Sequence, residues 1–472
     1  METIILFVVP LLIPVSSLRA NSNSKKRRPP SPWAFPFVGS IHHMLTSQPQ
    51  AALRDLAERH GPVMLLRLGQ VDTVVVSSSP AAAQEVLQGN DLSFASRPSL
   101  VASEIICYGN LDLAFAPYGD YWRALRKLCV LELLSARKVR HFAPIRDSVT
   151  MSLVAEIRAA ATDGGGEEAA AVNLSRLLVS CTNSITVGVI LVTLVHQGAE
   201  EWRGEAGRSR SGSLGLSQQE GAHDARHSGD HDSPHIAFDC RSALTITGLA
   251  TFGDVCSGER KDQFLSAVAV VLSHASGFCV SDLFPSLWFV DVLTGTRHTK
   301  KILNQILSVT PSLYNSKQNH PLDLPLDDPT VSNIPLLLSR VCRRKTCDIG
   351  GFEVAEGCRV MINAWAMARS PEYWGDDAEE FRPTRFETSV ADYKGTEFQY
   401  LPFGSGRRMC PGAAFGMATL ELVVARLLCY FDWSLPGKMR PEELDMETIV
   451  VSTARRRNQL HLVATPHDVR VE

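Results

Sequence analysis

The chain has 472 residues, of which 45% are hydrophobic, 21% charged and 7% aromatic, which excludes collagen-like, wholly disordered and coiled-coil readings. Lys and Arg number 47 against 50 Asp and Glu, so no charge excess calls for nucleic acid, and no Cys/His finger or RNA-binding motif stands in the sequence. Eleven cysteines are too sparse for a disulfide scaffold and form no C-x-x-C, so we expect reduced thiols in a body facing the cytosol.

The first residues read as a membrane anchor. Ile4 to Leu18 is apolar apart from Ser16 and Ser17, with Pro10 and Pro14 inside. As helix these positions span about 22 Å, short of a ~30 Å hydrocarbon core. A cleaved signal peptide would carry a basic residue ahead of the run, where only Glu2 and Thr3 stand. Lys25-Lys26-Arg27-Arg28 supplies the cytosolic charge of an anchor instead. We expect an anchor over 1–20 and a basic, proline-rich linker over 21–40, stiffened by Pro29, Pro30, Pro32 and Pro36.

Downstream, Ala51 to Arg59 has helical spacing, and Val63 to Leu68 and Thr73 to Ser77 read as strands around the turn Gly69-Gln70. Pro80 opens a helix at its first turn. Tyr121 to Leu134 and Asn173 to Thr186 are helical, and Ala155 to Ala171 reads as a surface connection. Gly198 to Pro234 is polar and low in large apolar residues, so disorder is expected. Within it His223, His227, His231 and His235 recur every four residues, but Gly229 and Pro234 oppose the helix that a zinc site would need. Lys261 to Ala275 is amphipathic, and Phe284 to Val292 is a bulky apolar cluster including Trp288. Gln305 to Ile334 is turn-like, Phe352 to Asn363 resembles a strand pair, and Ala413 to Tyr430 is a strong helix.

The sharpest signal precedes that last helix: Phe403-Gly404-Ser405-Gly406-Arg407-Arg408-Met409-Cys410-Pro411-Gly412. It sets a thiol near a helix N-terminus with two arginines close by, both of which favour thiolate. Its glycines let the backbone approach a flat ligand and aim N–H groups at the sulfur. Trp122 and Arg126 lie one helical turn apart on one face.

This loop resembles the haem loop of the cytochrome P-450 superfamily, the haem-thiolate monooxygenases, in their plant endoplasmic-reticulum form. Phe94-Ala95-Ser96-Arg97-Pro98, Tyr118-Gly119-Asp120-Tyr121-Trp122-Arg123, Asn363-Ala364-Trp365-Ala366 and Phe381-Arg382-Pro383-Thr384-Arg385-Phe386 extend the likeness. It runs from about Pro29 to Thr186, from Ala250 to Leu303 and from Ile334 onward. The resemblance implies a mainly α fold with small β-sheets (α+β), haem b as cofactor, and NADPH acting through a reductase. It implies Cys410 as catalytic residue and axial iron ligand, pushing electron density toward O–O cleavage. Trp122, Arg126, Arg340 and Arg408 would hold the propionates, arginine suiting them through paired, charge-assisted bonds. Phe403 and Gly412 would pack beside the haem. Phe94 to Phe115 and Gly277 to Trp288 would line a pocket for a lipophilic small molecule.

The likeness breaks in two places. The family's Ala/Gly-Gly-x-Asp/Glu-Thr motif, on a helix crossing the distal haem face, is absent from the sequence. Its Glu-x-x-Arg is matched in spacing alone at, among others, Glu200–Arg203 and Glu356–Arg359. A helix crossing a domain needs on the order of 20 residues, and Gln305 to Ile334 is too short and too proline-rich for two. The organisation expected is therefore a haem-thiolate domain incomplete in its core: 41–186, an atypical insertion over 187–249, pocket helices over 250–303, an irregular 304–333, and the haem-binding 334–472. Arg385 would lose its paired acid, with Asp323, Asp327 or Asp328 as substitutes. Three functions follow: an endoplasmic-reticulum monooxygenase with impaired catalysis, a reductase-independent haem-thiolate isomerase or dehydratase, or an inactive haem-binding remnant.

Overall fold

Four strands drawn from both ends of the chain share one sheet. They lie in the order Val63–Leu68, Val71–Val76, Arg359–Asn363, Leu337–Val341. The first pair is antiparallel, Val71–Val76 runs parallel to Arg359–Asn363, and the last pair is antiparallel again. The computed structural model describes residues 27–107, 109–162, 171–186, 188–189, 279–293, 337–389, 391–450 and 454–467.

Both faces of this sheet are covered, which is why Thr73–Val76 reads as an unbroken buried run rather than an alternating one. On one face the Pro49–His60 helix sets Leu53, Leu56 and Ala57 against Met64, Leu66, Leu68 and Val75. On the other, Val63, Val74, Val76 and Ile362 meet Ala82, Ala83 and Val86. Ser79 caps the Pro80–Gln84 helix by accepting the Ala82 N–H at 3.1 Å.

A second core forms where the Ala143–Thr162 helix, a helix over 174–186 and the Ala413–Tyr430 helix meet a three-stranded sheet. Its strands are Ala171–Asn173, His461–Pro466 and Phe431–Ser434. Leu153, Val154, Ile157, Ile185, Val423 and Phe431 are buried there. The Ala413–Tyr430 helix ends as the sequence predicts. Among the described residues it alone is long and apolar enough to cross a membrane, yet it sends Val423 and Leu427 into this core.

Two expectations are corrected. Ala155 to Thr162 is the end of a 20-residue helix, not a surface connection. Its alanines favour helix, and Ile157 is fully buried. Phe352–Val354 and Arg359–Asn363 are both strands but do not pair with each other. The former pairs with Cys347–Ile349, and the latter enters the four-stranded sheet. The expected anchor, the histidine-bearing tract, Lys261–Ala275 and Gln305–Ile334 lie outside the described residues.

Candidate active site

The cysteine loop is closed by its own backbone. The Cys410 N–H donates to the Phe403 carbonyl at 2.9 Å, and the Met409 N–H to that of Gly406 at 3.0 Å. The loop sits directly on the turn after the Pro80–Gln84 helix. At Gly406, φ is +68° and a Cβ would fall 2.2 Å from the Leu87 carbonyl oxygen, so only glycine fits. Ser405 Oγ donates to the Gly395 carbonyl at 2.5 Å. Cys410 is exposed, and Gly412 is the N-cap of the Ala413–Tyr430 helix. The thiol thus lies at the positive end of an 18-residue helix. Phe403 packs toward that helix, its ring 3.7 Å from where a Cβ at Gly416 would sit.

Four arginines gather beside this loop. Arg408 is 7% exposed, with its guanidinium carbon 4.3 Å from the centre of the Trp122 ring. Its donors go to main-chain carbonyls: Nε to Ala95 at 2.6 Å, Nη1 to Leu113 and Ala114, and Nη2 to Ala116. Arg126 lies 5.5 Å from the same ring. Arg340 is 2% exposed and, among the described residues, donates only to its neighbour's carbonyl, that of Ser339. Arg97 lies over the Phe115 ring, and its buried Nε has no hydrogen-bond partner among the described residues.

Burial holds all four guanidiniums below the ordinary arginine value, Arg408 down to about 10 and Arg340 well below the usual range. For Arg340 and Arg408 the neighbouring arginines add to the shift. Among the described residues none of the four forms an ion pair with a carboxylate. Buried cations without a carboxylate partner, as Arg340 and Arg408 are, are unfavourable without an anion.

The sequence-predicted residues Trp122, Arg126, Arg340, Phe403, Arg408, Cys410 and Gly412 therefore come together, with three differences of detail. The cations expected beside the sulfur are turned elsewhere. Arg407 pairs with Asp91 at 2.7 Å and bonds Tyr118 Oη at 3.2 Å, while Arg408 serves carbonyls. The guanidinium that feels Cys410 is that of Arg126. The Trp122 indole N–H is engaged by the Leu113 carbonyl at 3.0 Å. Arg97, part of the quoted Phe94–Pro98 motif, is a member of the cluster that single-residue reasoning passed over.

Arg385 is not left without an acid. Its Nη1 lies 3.4 Å from Asp377 Oδ1, and its remaining donors meet the carbonyls of Trp374, Asp377, Glu380 and Arg382. A local carboxylate eight residues away replaces the expected loss. Asp323, Asp327 and Asp328 lie outside the described residues.

The two segments expected to line the substrate pocket meet through a residue that the sequence did not single out. Asp282, 4% exposed, accepts the Val101 N–H and the Cys279 N–H, each at 2.9 Å. Trp288, in the same segment, is 55% exposed.

An exposed thiol at a helix N-terminus, beside buried arginines short of carboxylates, fits a dianionic porphyrin. The donor set suits the two propionates, and the sulfur suits iron. Such a site defines a haem-thiolate protein. The cytochrome P450 family model matches residues 29–195 and 331–462. The chain is 43% identical to the 9-beta-pimara-7,15-diene oxidase of Oryza sativa subsp. japonica over 550 residues, covering 98% of this chain and 96% of that protein. It is 32% identical to the premnaspirodiene oxygenase of Hyoscyamus muticus and 31% to the 5-epiaristolochene 1,3-dihydroxylase of Nicotiana tabacum. Each of these comparisons covers 95% of this chain and 94% of the relative. The chain belongs to the cytochrome P450 family. Its fold is of that mixed, mainly helical kind, its cofactor is haem, and its electrons come from NADPH through a reductase.

Proposed function

We propose that this monooxygenase acts on an apolar, alkene-bearing hydrocarbon, held at the endoplasmic-reticulum membrane by residues 1–20. The relatives named for dienes support the substrate class. The Ile4–Leu18 run followed by Lys25–Arg28 supports the anchor. The observation that carries the reading is the exposed Cys410 thiol under four carboxylate-poor arginines.

Bound haem supplies the oxygen-activating chemistry. Cys410, at the helix N-terminus, would ligate its iron, and the glycines at 404, 406 and 412 would allow close approach of the backbone to the group. Arg97, Arg126 and Arg340 would hold the propionates, and the Arg408–Trp122 stack would form the wall beside them. Arg123, Lys127, Arg137 and Arg140 are exposed on the helices leading from this wall, a basic face suited to an acidic electron donor.

Catalysis in this form is impaired at the distal side. The sequence holds no acid/alcohol motif, and the family match is interrupted between residues 195 and 331. The alignment to the rice oxidase spans 550 positions against 472 residues. Proton delivery, which such a pair serves, has no named donor here.

The test is the spectrum of the reduced, carbon-monoxide-bound protein. Wild type shows the thiolate-type Soret position, and Cys410→Ser loses it. A thiolate-type band that survives Cys410→Ser overturns the ligand assignment.

A further inference from the structure

Two of the clustered arginines, Arg97 and Arg408, act against one buried carboxylate. Asp112 is 8% exposed. Its Oδ1 accepts the Phe115 N–H at 2.7 Å and its carbonyl accepts the Ala116 N–H at 3.0 Å, so the 112–116 turn is built on this residue. The carbonyls of Leu113, Ala114 and Ala116 in that turn receive Arg408, and Leu113 also receives Trp122. Arg97 lies over Phe115 of the same turn, 5.9 Å from the ring centre. The Cys107 thiol donates to the Asp112 carboxylate; burial first, and then this acid, push that thiol far up.

Asp112 is also the acid that opposes the effect of burial on both Arg97 and Arg408. The other carboxylate in reach, Asp91, acts on Arg340 but sits at the edge of the cluster, held by Arg407 at 2.7 Å. This carboxylate therefore faces Arg97, which forms no ion pair among the described residues, and the wall that Arg408 builds. In a low-dielectric wall, such a charge disfavours adding an electron to a haem nearby.

We propose that Asp112 is a positioning residue that orients Arg97 and the Arg408 wall toward the propionates and lowers the reduction potential of the iron held by Cys410. This rests on the haem-thiolate reading. An amide at this position keeps an oxygen for the Phe115 N–H, so the turn survives while the charge is removed.

The experiment is a spectroelectrochemical titration of the full-length, haem-loaded protein, with haem content measured in parallel. Asp112→Asn moves the midpoint potential positive, and Asp112→Glu brings it back toward wild type. Cys107→Ala removes a donor from the carboxylate and moves the midpoint the other way. It decides the question if Asp112→Asn does not fold, because the carboxylate and its turn are kept. Midpoints unchanged at normal haem content, or Asn and Glu variants shifted alike, overturn the proposal while the thiolate-type carbon-monoxide spectrum upholds the ligand assignment. A wild-type protein lacking that spectrum overturns both.

Discussion

Arg408 stacks its guanidinium 4.3 Å from the centre of the Trp122 ring while its nitrogens reach the carbonyls of Ala95, Leu113, Ala114 and Ala116. One side chain thus ties the cysteine loop to two segments some 300 residues earlier. A guanidinium does this because it is flat, donates in several directions and stacks on an indole. Every hydrogen bond it makes among the described residues goes to a main-chain carbonyl.

A conservative change at this position is therefore not conservative. In Arg408→Lys an ammonium has three donors for four carbonyls and no planar face for Trp122. Each orphaned buried carbonyl costs about 1–3 kcal/mol, so we expect a loss of roughly 2–4 kcal/mol in unfolding free energy together with poor haem retention. Chemical denaturation and haem content check this. A variant as stable as wild type would show that the carbonyl bonds are incidental.

Arg340 carries the opposite expectation. It is almost fully buried, meets no carboxylate among the described residues and donates to a single neighbouring carbonyl. Replacing an unpaired buried cation by an apolar side chain of similar length relieves desolvation. Arg340→Met should leave the haem-free chain as stable as before or more stable by roughly 1–3 kcal/mol, while haem leaves the loaded protein faster. Urea unfolding of the haem-free protein and haem transfer to an acceptor globin measure the two effects. A less stable haem-free chain would assign Arg340 to the core instead.

What the sequence made legible was local. The Pro49–His60 and Ala413–Tyr430 helices announce themselves through apolar spacing, and the cysteine loop through a ten-residue pattern of glycine, arginine and cysteine. What stayed hidden depends on partners distant in the chain or on donors that choose among several acceptors. Arg359–Asn363 looks like half of a hairpin until Val71–Val76 lies beside it. Ala155–Thr162 looks like a linker until Ile157 is buried under the last helix and its sheet. The acceptors of Arg408 cannot be read from spacing, since they are carbonyls that only the fold brings near. Asp282 gave only half a signal: its bond to the Cys279 N–H belongs to a local helix-start box, but the Val101 N–H reaches it from 181 residues away.

Asp282 also makes stability depend on pH in a direction opposite to that of a surface ion pair. Burial pushes its carboxyl above the ordinary 3.8; the N–H groups of Val101 and Cys279 and the Arg359 guanidinium pull it down, and Asp291 adds to the rise. With the folded value above the unfolded one, the folded state binds the proton more tightly. Its contribution is full below the unfolded value and is lost as pH rises through the folded one. Asp282→Asn cannot ionise, so it removes this slope and adds a constant offset from the altered bond to Val101 or Cys279. Stability of the variant relative to wild type should therefore increase as pH is raised from about 4 toward neutrality. Denaturation midpoints of both proteins across that window supply the difference, which also cancels carboxylates with depressed values such as Asp377 and Asp392. A difference that is flat, or that runs the other way, would mean that the Val101 and Cys279 N–H groups and Arg359 together outweigh burial at this residue.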